Sequence, residues 1–184
     1  AKPRREAFAQ GPVISLMQDQ LVLEVITRFS ASEKRALRAP VVDLKHETFI
    51  AGKGSIDLRV SIPDGLCYHA GEGIPMRIEL TNRSEKKVKR VKVFLQQNSV
   101  FNASHRTRFF EVKLAQAVIT DPFPPNAHTA VNAVLRLPDK LPCTFKGKLI
   151  EVKHQLMVKV SMHLANNFRL RWPLHIMPAP LPEG

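Results

Sequence analysis

No apolar run in this sequence approaches the roughly 18 residues that a membrane-spanning helix needs. Eight glycines and one tryptophan in 184 residues exclude a fibrous or low-complexity chain, while 44% hydrophobic residues can build the core of one good-sized domain. Cysteine is scarce. Cys67 and Cys143 have no Cys-x-x-Cys spacing, and no apolar signal core follows Lys2-Pro3-Arg4-Arg5, so two reduced thiols in a cytoplasmic protein are expected. Acidic side chains are the main deficit: 16 stand against 28 Lys and Arg, a formal net charge of +12. Such a balance attracts anions, whether nucleic acid, anionic lipid or phosphorylated protein.

The residues that chemistry requires are also missing as constellations. Glu72 has no second carboxylate at a fixed helical or strand offset, so no acid–base pair is signalled. Cys67 and His69 would share one side of a strand and Tyr68 the other; packing is the reading for Cys67, with a nucleophile as the alternative. The histidines at 46, 69, 105, 128, 154, 163 and 175 make no metal framework, and His154, inward on its strand, reads as a hydrogen-bonded core residue. No Gly-x-Gly-x-x-Gly or phosphate-loop pattern occurs. Arg106 and Arg108 beside Phe109 and Phe110 are too thin a patch for a stacking groove, so nucleic acid is not expected. A non-enzyme without cofactor or metal is the expectation.

What is present is alternation. Ile56, Leu58, Val60 and Ile62, then Ile74, Met76, Ile78 and Leu80, then Val91, Val93 and Leu95 mark three strands with one face in a core. Pro63-Asp64-Gly65, Ala70-Gly71-Glu72-Gly73 and Asn82-Arg83-Ser84-Glu85 are the turns between them. Phe109 to Ala117 reads as a strand, Asp121 to Asn126 as a proline-stiffened loop, and Val131 to Leu137 as a strand closed by Pro138. Val152 to Leu164 and Phe168 to Ile176 read as a hairpin about Ala165-Asn166-Asn167. With no strong helix between Ile56 and Ile176, the fold class is an all-β, immunoglobulin-like antiparallel sandwich. Leu58, Ile78, Val93, Leu135, Leu156, Val158 and Trp172 are its expected inward residues.

Upstream, residues 1–45 read as an N-terminal arm or linker. Pro12 to Phe29 reads as helix from the Ser15/Gln18 capping box and as strand from Leu21, Leu23, Val25 and Thr27. Ser30 to Arg38 has a second capping box, Ser30/Glu33, and Pro40 ends that short helix. The sandwich is then 46–178, and 179–184 a proline-rich tail, Pro178-Ala179-Pro180-Leu181-Pro182 reading as an exit rather than a recognition segment.

Tyr68-His69-Ala70-Gly71-Glu72-Gly73-Ile74, a strand ending Leu80-Thr81-Asn82, and Val88-Lys89-Arg90-Val91-Lys92-Val93 followed by Gln96-Gln97 together resemble the start of the arrestin C-terminal domain. Leu149 to Leu156 and Leu170 to Ile176 are more similar to the arrestin-domain-containing, or α-arrestin, group. The resemblance implies an adaptor that links membrane receptors or other cargo to trafficking or ubiquitination machinery. Its alternatives are a stable, retromer-type subunit and a basic lipid-binding module. Pro12 to Phe29 would hold the last strand of a preceding arrestin domain. In visual and β-arrestins the basic strand contributes to an inositol-phosphate site, which puts Lys89, Arg90 and Lys92 forward for anionic lipid or inositol phosphate; Gln96 stands where that pattern has an arginine. The Pro-Pro-x-Tyr motifs that recruit WW domains in α-arrestins are absent, Tyr68 being the one tyrosine.

Overall fold

A computed structural model describes residues 30–49, 54–103, 106–120, 122–162 and 168–178. The two readings of Pro12 to Phe29, the Ala165–Asn167 turn and the tail 179–184 lie outside them.

Helix α1, Ala31–Leu37, forms where the capping box lies: the Ser30 hydroxyl accepts from the Glu33 amide, and the Glu33 carboxylate accepts from the Ser30 amide. Ten strands follow: β1 Val41–Thr48, β2 Ser55–Ile62, β3 Cys67–His69, β4 Gly73–Arg83, β5 Val88–Ala103, β6 Arg106–Ile119, β7 Ala127–Arg136, β8 Phe145–Lys146, β9 Ile150–Met162 and β10 Phe168–Met177. They make two sheets, β1-β2-β4-β7 and β3-β10-β9-β5-β6, with β8 joined to the start of β9. The all-β sandwich is therefore the fold, and β9 and β10 pair antiparallel as a hairpin. One pairing departs from the antiparallel pattern, because β3 runs parallel to β10.

The core is the meeting of the two alternating faces. Leu58 lies opposite Leu80 and Val60 opposite Ile78 in the first sheet; Val93 lies opposite Val158, and Leu95 opposite Leu156, in the second. All seven residues expected inward are buried, Trp172 the most exposed of them at 6%. The alternation decides register as well as burial, because a slip of one residue would turn each apolar set into water.

Val41–Thr48 corrects the expectation of a linker reaching to Lys45. Its sequence, VVDLKHET, has no apolar alternation, yet it pairs with all of β2 as an edge strand. The charged residues Asp43, Lys45 and Glu47 share the face of Ile62, Val60, Leu58 and Ile56, and Lys45 donates to the Arg169 carbonyl across the mouth of the sandwich at 3.4 Å. Inward charge on an edge strand discourages a further strand from adding there.

Helix α1 is tied down as well. The Leu66 amide donates to the Leu37 carbonyl at 2.7 Å, and the His175 amide donates to the Leu66 carbonyl at 2.9 Å, joining helix, β2–β3 turn and β10. Gly65 makes that approach feasible. Its φ is +73°, and a Cβ there would sit 2.4 Å from the Leu37 carbonyl oxygen.

Replacing Trp172 with alanine should destabilise the fold by about 3–5 kcal/mol, measured by urea denaturation. Gly65→Ala should cost more than about 1 kcal/mol, because it combines a positive φ with a backbone collision. A neutral result for Gly65→Ala would mean that α1 is not seated on the turn.

Candidate functional site

The polar residues between β4 and β5 fix where the basic strand begins. Asn82, 1% exposed, donates from Nδ2 to the Lys86 carbonyl, and its Oδ1 accepts from the Ser84 amide and hydroxyl. The Ser84 hydroxyl in turn accepts from the Lys86 amide. This closed set of bonds satisfies a buried amide without a partner from outside the turn. Lys86 lies with its ammonium 4.3 Å from the Phe49 ring centroid, and β5 starts two residues later.

From there period two sorts the side chains. Val91, Val93 and Leu95 are wholly buried, so Arg90, Lys92, Phe94, Gln96 and Asn98 face outward. Lys89 is exposed and occupies a bulge between Val88 and Arg90, where the β5–β9 register shifts. Lys89, Arg90 and Lys92 are thus near one another, but they are only a corner of a larger surface. Lys92 lies opposite Lys159 on β9, and Lys159 lies opposite Arg169 on β10. Three cations on adjacent strands form one row, with strands about 4.8 Å apart. Arg171 stands opposite Met157 in the next row, Lys113 opposite Gln96, and Lys153 opposite Asn98.

Among the described residues, the only ion pair on this face is Lys153 with Glu151, at 3.0 Å. Arg90, Lys92, Lys113, Lys159, Arg169 and Arg171 make none. The outer face of the other sheet is unlike this: Asp57 is paired with His46 and Arg83, and Glu79 with Arg77 and Arg59. One face pairs its carboxylates with its own cations, and the other leaves these six cations without an ion pair. The repulsion is visible in the Lys92 ammonium, whose pKa is lowered chiefly by Arg90, then by desolvation, Lys113 and Lys159. Like charges placed opposite one another destabilise a sheet, so this row lowers the stability of the unliganded fold.

Apolar side chains lie within the cations. Phe94 and Met157 are opposite each other on this outer face, yet are 8% and 4% exposed. Lys113 reaches over Phe94, its ammonium 4.7 Å from the ring centroid, keeping the charge in water while its stem covers the ring.

Away from this face, the structure gives the candidate chemical groups structural surroundings. Cys67 and Cys143 are thiols; Cys67 is buried, and desolvation raises its pKa, the opposite of what a nucleophile requires. Tyr68 turns into the core, and desolvation pushes its hydroxyl up to about 12. His154 is 1% exposed, with Nδ1 2.8 Å from the Thr144 hydroxyl. That hydroxyl has one proton, directed to the Leu174 carbonyl at 3.3 Å, and it accepts from the Ile176 amide at 2.9 Å. Nε2 of His154 is buried without a hydrogen-bond partner. Desolvation, with a smaller contribution from His175, holds the His154 pKa down at about 4. Among the described residues no three His, Cys, Asp or Glu side chains could hold a metal ion, and no helix is long and apolar enough to cross a membrane.

A family model described as "Arrestin (or S-antigen), C-terminal domain" matches residues 52–181. No curated protein matches the chain.

The neutral His154 has a measurable consequence. Unfolded, the imidazole titrates near 6.5 and folded near 4, so the unfolded chain takes up the extra proton as pH falls. Stability should be full above about pH 6.5 and decline toward pH 4, with a slope of up to about 1.4 kcal/mol per pH unit. His154→Gln should remove most of that slope in denaturation curves recorded at several pH values. A slope unchanged in the variant would exclude His154 as its origin.

Proposed function

Because the chain belongs to the arrestin family, we propose that it is an adaptor module that links membrane cargo or another protein client to trafficking or ubiquitination machinery. Arrestin-family domains act generally by binding proteins rather than by catalysis. The α-arrestin group is the subgroup we favour, supported by Leu149 to Leu156 and Leu170 to Ile176. The module works in the cytoplasm, at the inner surface of a membrane. Lys89, Arg90 and Lys92 hold anionic headgroups there, lipid or inositol phosphate.

The observation that carries the membrane part of this reading is the unneutralised row Lys92, Lys159, Arg169. Among the described residues no carboxylate pairs with any of these three cations, whereas the carboxylates of the opposite sheet are paired with that sheet's own arginines. An anionic layer supplies the missing charge over the whole face, at about 1 kcal/mol per basic residue near the surface. Gln96 and Asn98, beside the cations, add neutral donors and acceptors.

Replacing Lys89, Arg90 and Lys92 together with glutamine should weaken binding to vesicles containing phosphatidylserine about tenfold or more and flatten its dependence on salt. Adding Lys159→Gln and Arg169→Gln should weaken it again. Equal binding by all variants, or binding indifferent to salt, would remove the charged face from the function. Proximity labelling in cells would name the client, and a constitutive complex in gel filtration of cell extract would favour a stable subunit over a transient adaptor.

A further inference from the structure

The far end of β5 pairs with β6 on one side and with the start of β9 on the other, Val100 lying between Phe109 and Glu151 and Phe101 between Arg108 and Ile150. Exposed apolar side chains concentrate there. Phe109 is 75% exposed, more than any other large hydrophobic residue among those described, with Leu149, Phe110, Val112 and Phe101 at 62%, 51%, 50% and 38%. The two aromatics Phe101 and Phe110 meet edge to face at 5.5 Å, which stiffens this end without covering it.

The distribution over the two faces indicates what covers these residues. Phe109 shares the outer face with Glu111 and Lys113, two and four residues along β6, and with Lys92 through β5. Phe101, Phe110 and Val112 lie on the other face, where Phe101 also lines an apolar groove of about 730 Å³ with Leu141, Phe145, Leu149 and Ile150. A protein docked on one face would leave the other in water. Immersion of the hairpin in the boundary between headgroups and acyl chains covers both at once. Arg106 and Arg108, exposed between the phenylalanines and the β5–β6 turn, have side chains long enough to reach the phosphates.

We propose that the β5–β6 hairpin is a membrane-insertion element whose occupant is the interfacial layer of an anionic bilayer. The proposal rests on the membrane reading of the basic face and adds to it a second, apolar attachment. The two act together, because Phe109 continues the outer face that carries Lys92 and Lys113, so one bilayer meets both. Charge alone gives weak, salt-sensitive attachment, and a few inserted rings alone are also weak; stable peripheral binding takes two such signals.

The test uses the full chain and vesicles of phosphatidylcholine with and without phosphatidylserine. Trp172 is buried and serves as an internal control, so Phe109→Trp reports the hairpin. With phosphatidylserine present, its emission should shift to the blue and be quenched by brominated acyl chains; an unchanged spectrum on vesicles that pull the protein down overturns insertion. Phe109→Ser with Phe110→Ser should weaken partitioning about tenfold while leaving the salt dependence as it was, since only apolar burial is removed. Full partitioning in that variant also overturns insertion, yet leaves the basic-face reading intact. Circular dichroism and thermal melting check that it folds; if it does not, the Phe109→Trp result alone decides. Absence of binding to either vesicle overturns both readings.

Discussion

The period-two geometry of one strand, β5, governs the molecule. Val91, Val93 and Leu95 must turn inward for the two sheets to close, and a β-strand then sends Arg90, Lys92 and Phe94 outward. Because β5 pairs with β6 on one side and β9 on the other along nearly its whole length, it fixes the register of both neighbours. The basic row is thus a by-product of core packing: moving Lys92 off that face would move Val91 and Val93 out of the core. Sixteen residues also make β5 longer than the strands of the facing sheet, so its far end projects beyond them.

The two outer faces have unlike electrostatics from similar materials. Each is built from long basic side chains alternating with buried aliphatics, but one contains Asp57 and Glu79 at positions where arginines reach them. The placement of those two carboxylates, against Glu151 paired with Lys153 alone on the basic face, separates a self-satisfied surface from a repelling one. Net charge alone, a property of the whole chain, does not distinguish an even coat from a one-sided field. Pairing order is what makes the distinction here.

The strands of the core were legible wherever apolar residues alternate, from Ile56 to Leu95 and from Val152 to Ile176. Capping chemistry likewise showed α1, since Ser30 and Glu33 carry it in their spacing. β1 was not legible: its pattern of charge and small aliphatics suits an edge, where half of each residue meets water, and edges have the weakest periodic signal. The parallel β3–β10 pairing was hidden for another reason, as three residues are too few to show a period. Of the candidate site, Arg90 and Lys92 could be placed outward from alternation alone, while Lys113, Lys153, Lys159, Arg169 and Arg171 could not be joined to them. All but Lys153 stand between apolar neighbours in the sequence, but their convergence depends on which strands lie side by side. The hairpin's exposed rings were ambiguous too, because Phe109 and Phe110 are adjacent and a strand must send one each way.

The link from α1 through the β2–β3 turn to β10 has a mechanical meaning. The chain entering at Ser30 does not meet the sandwich first at β1, whose ladder could be opened one bond at a time from its free edge. It meets it at Leu37, where a backbone bond passes load to Leu66 and from there to His175 in the interior of the second sheet. A pull from upstream is therefore shared between both layers before it reaches the edge strand. Helix α1 is thereby anchored to both layers through one pair of backbone bonds, ahead of the edge strand that follows it.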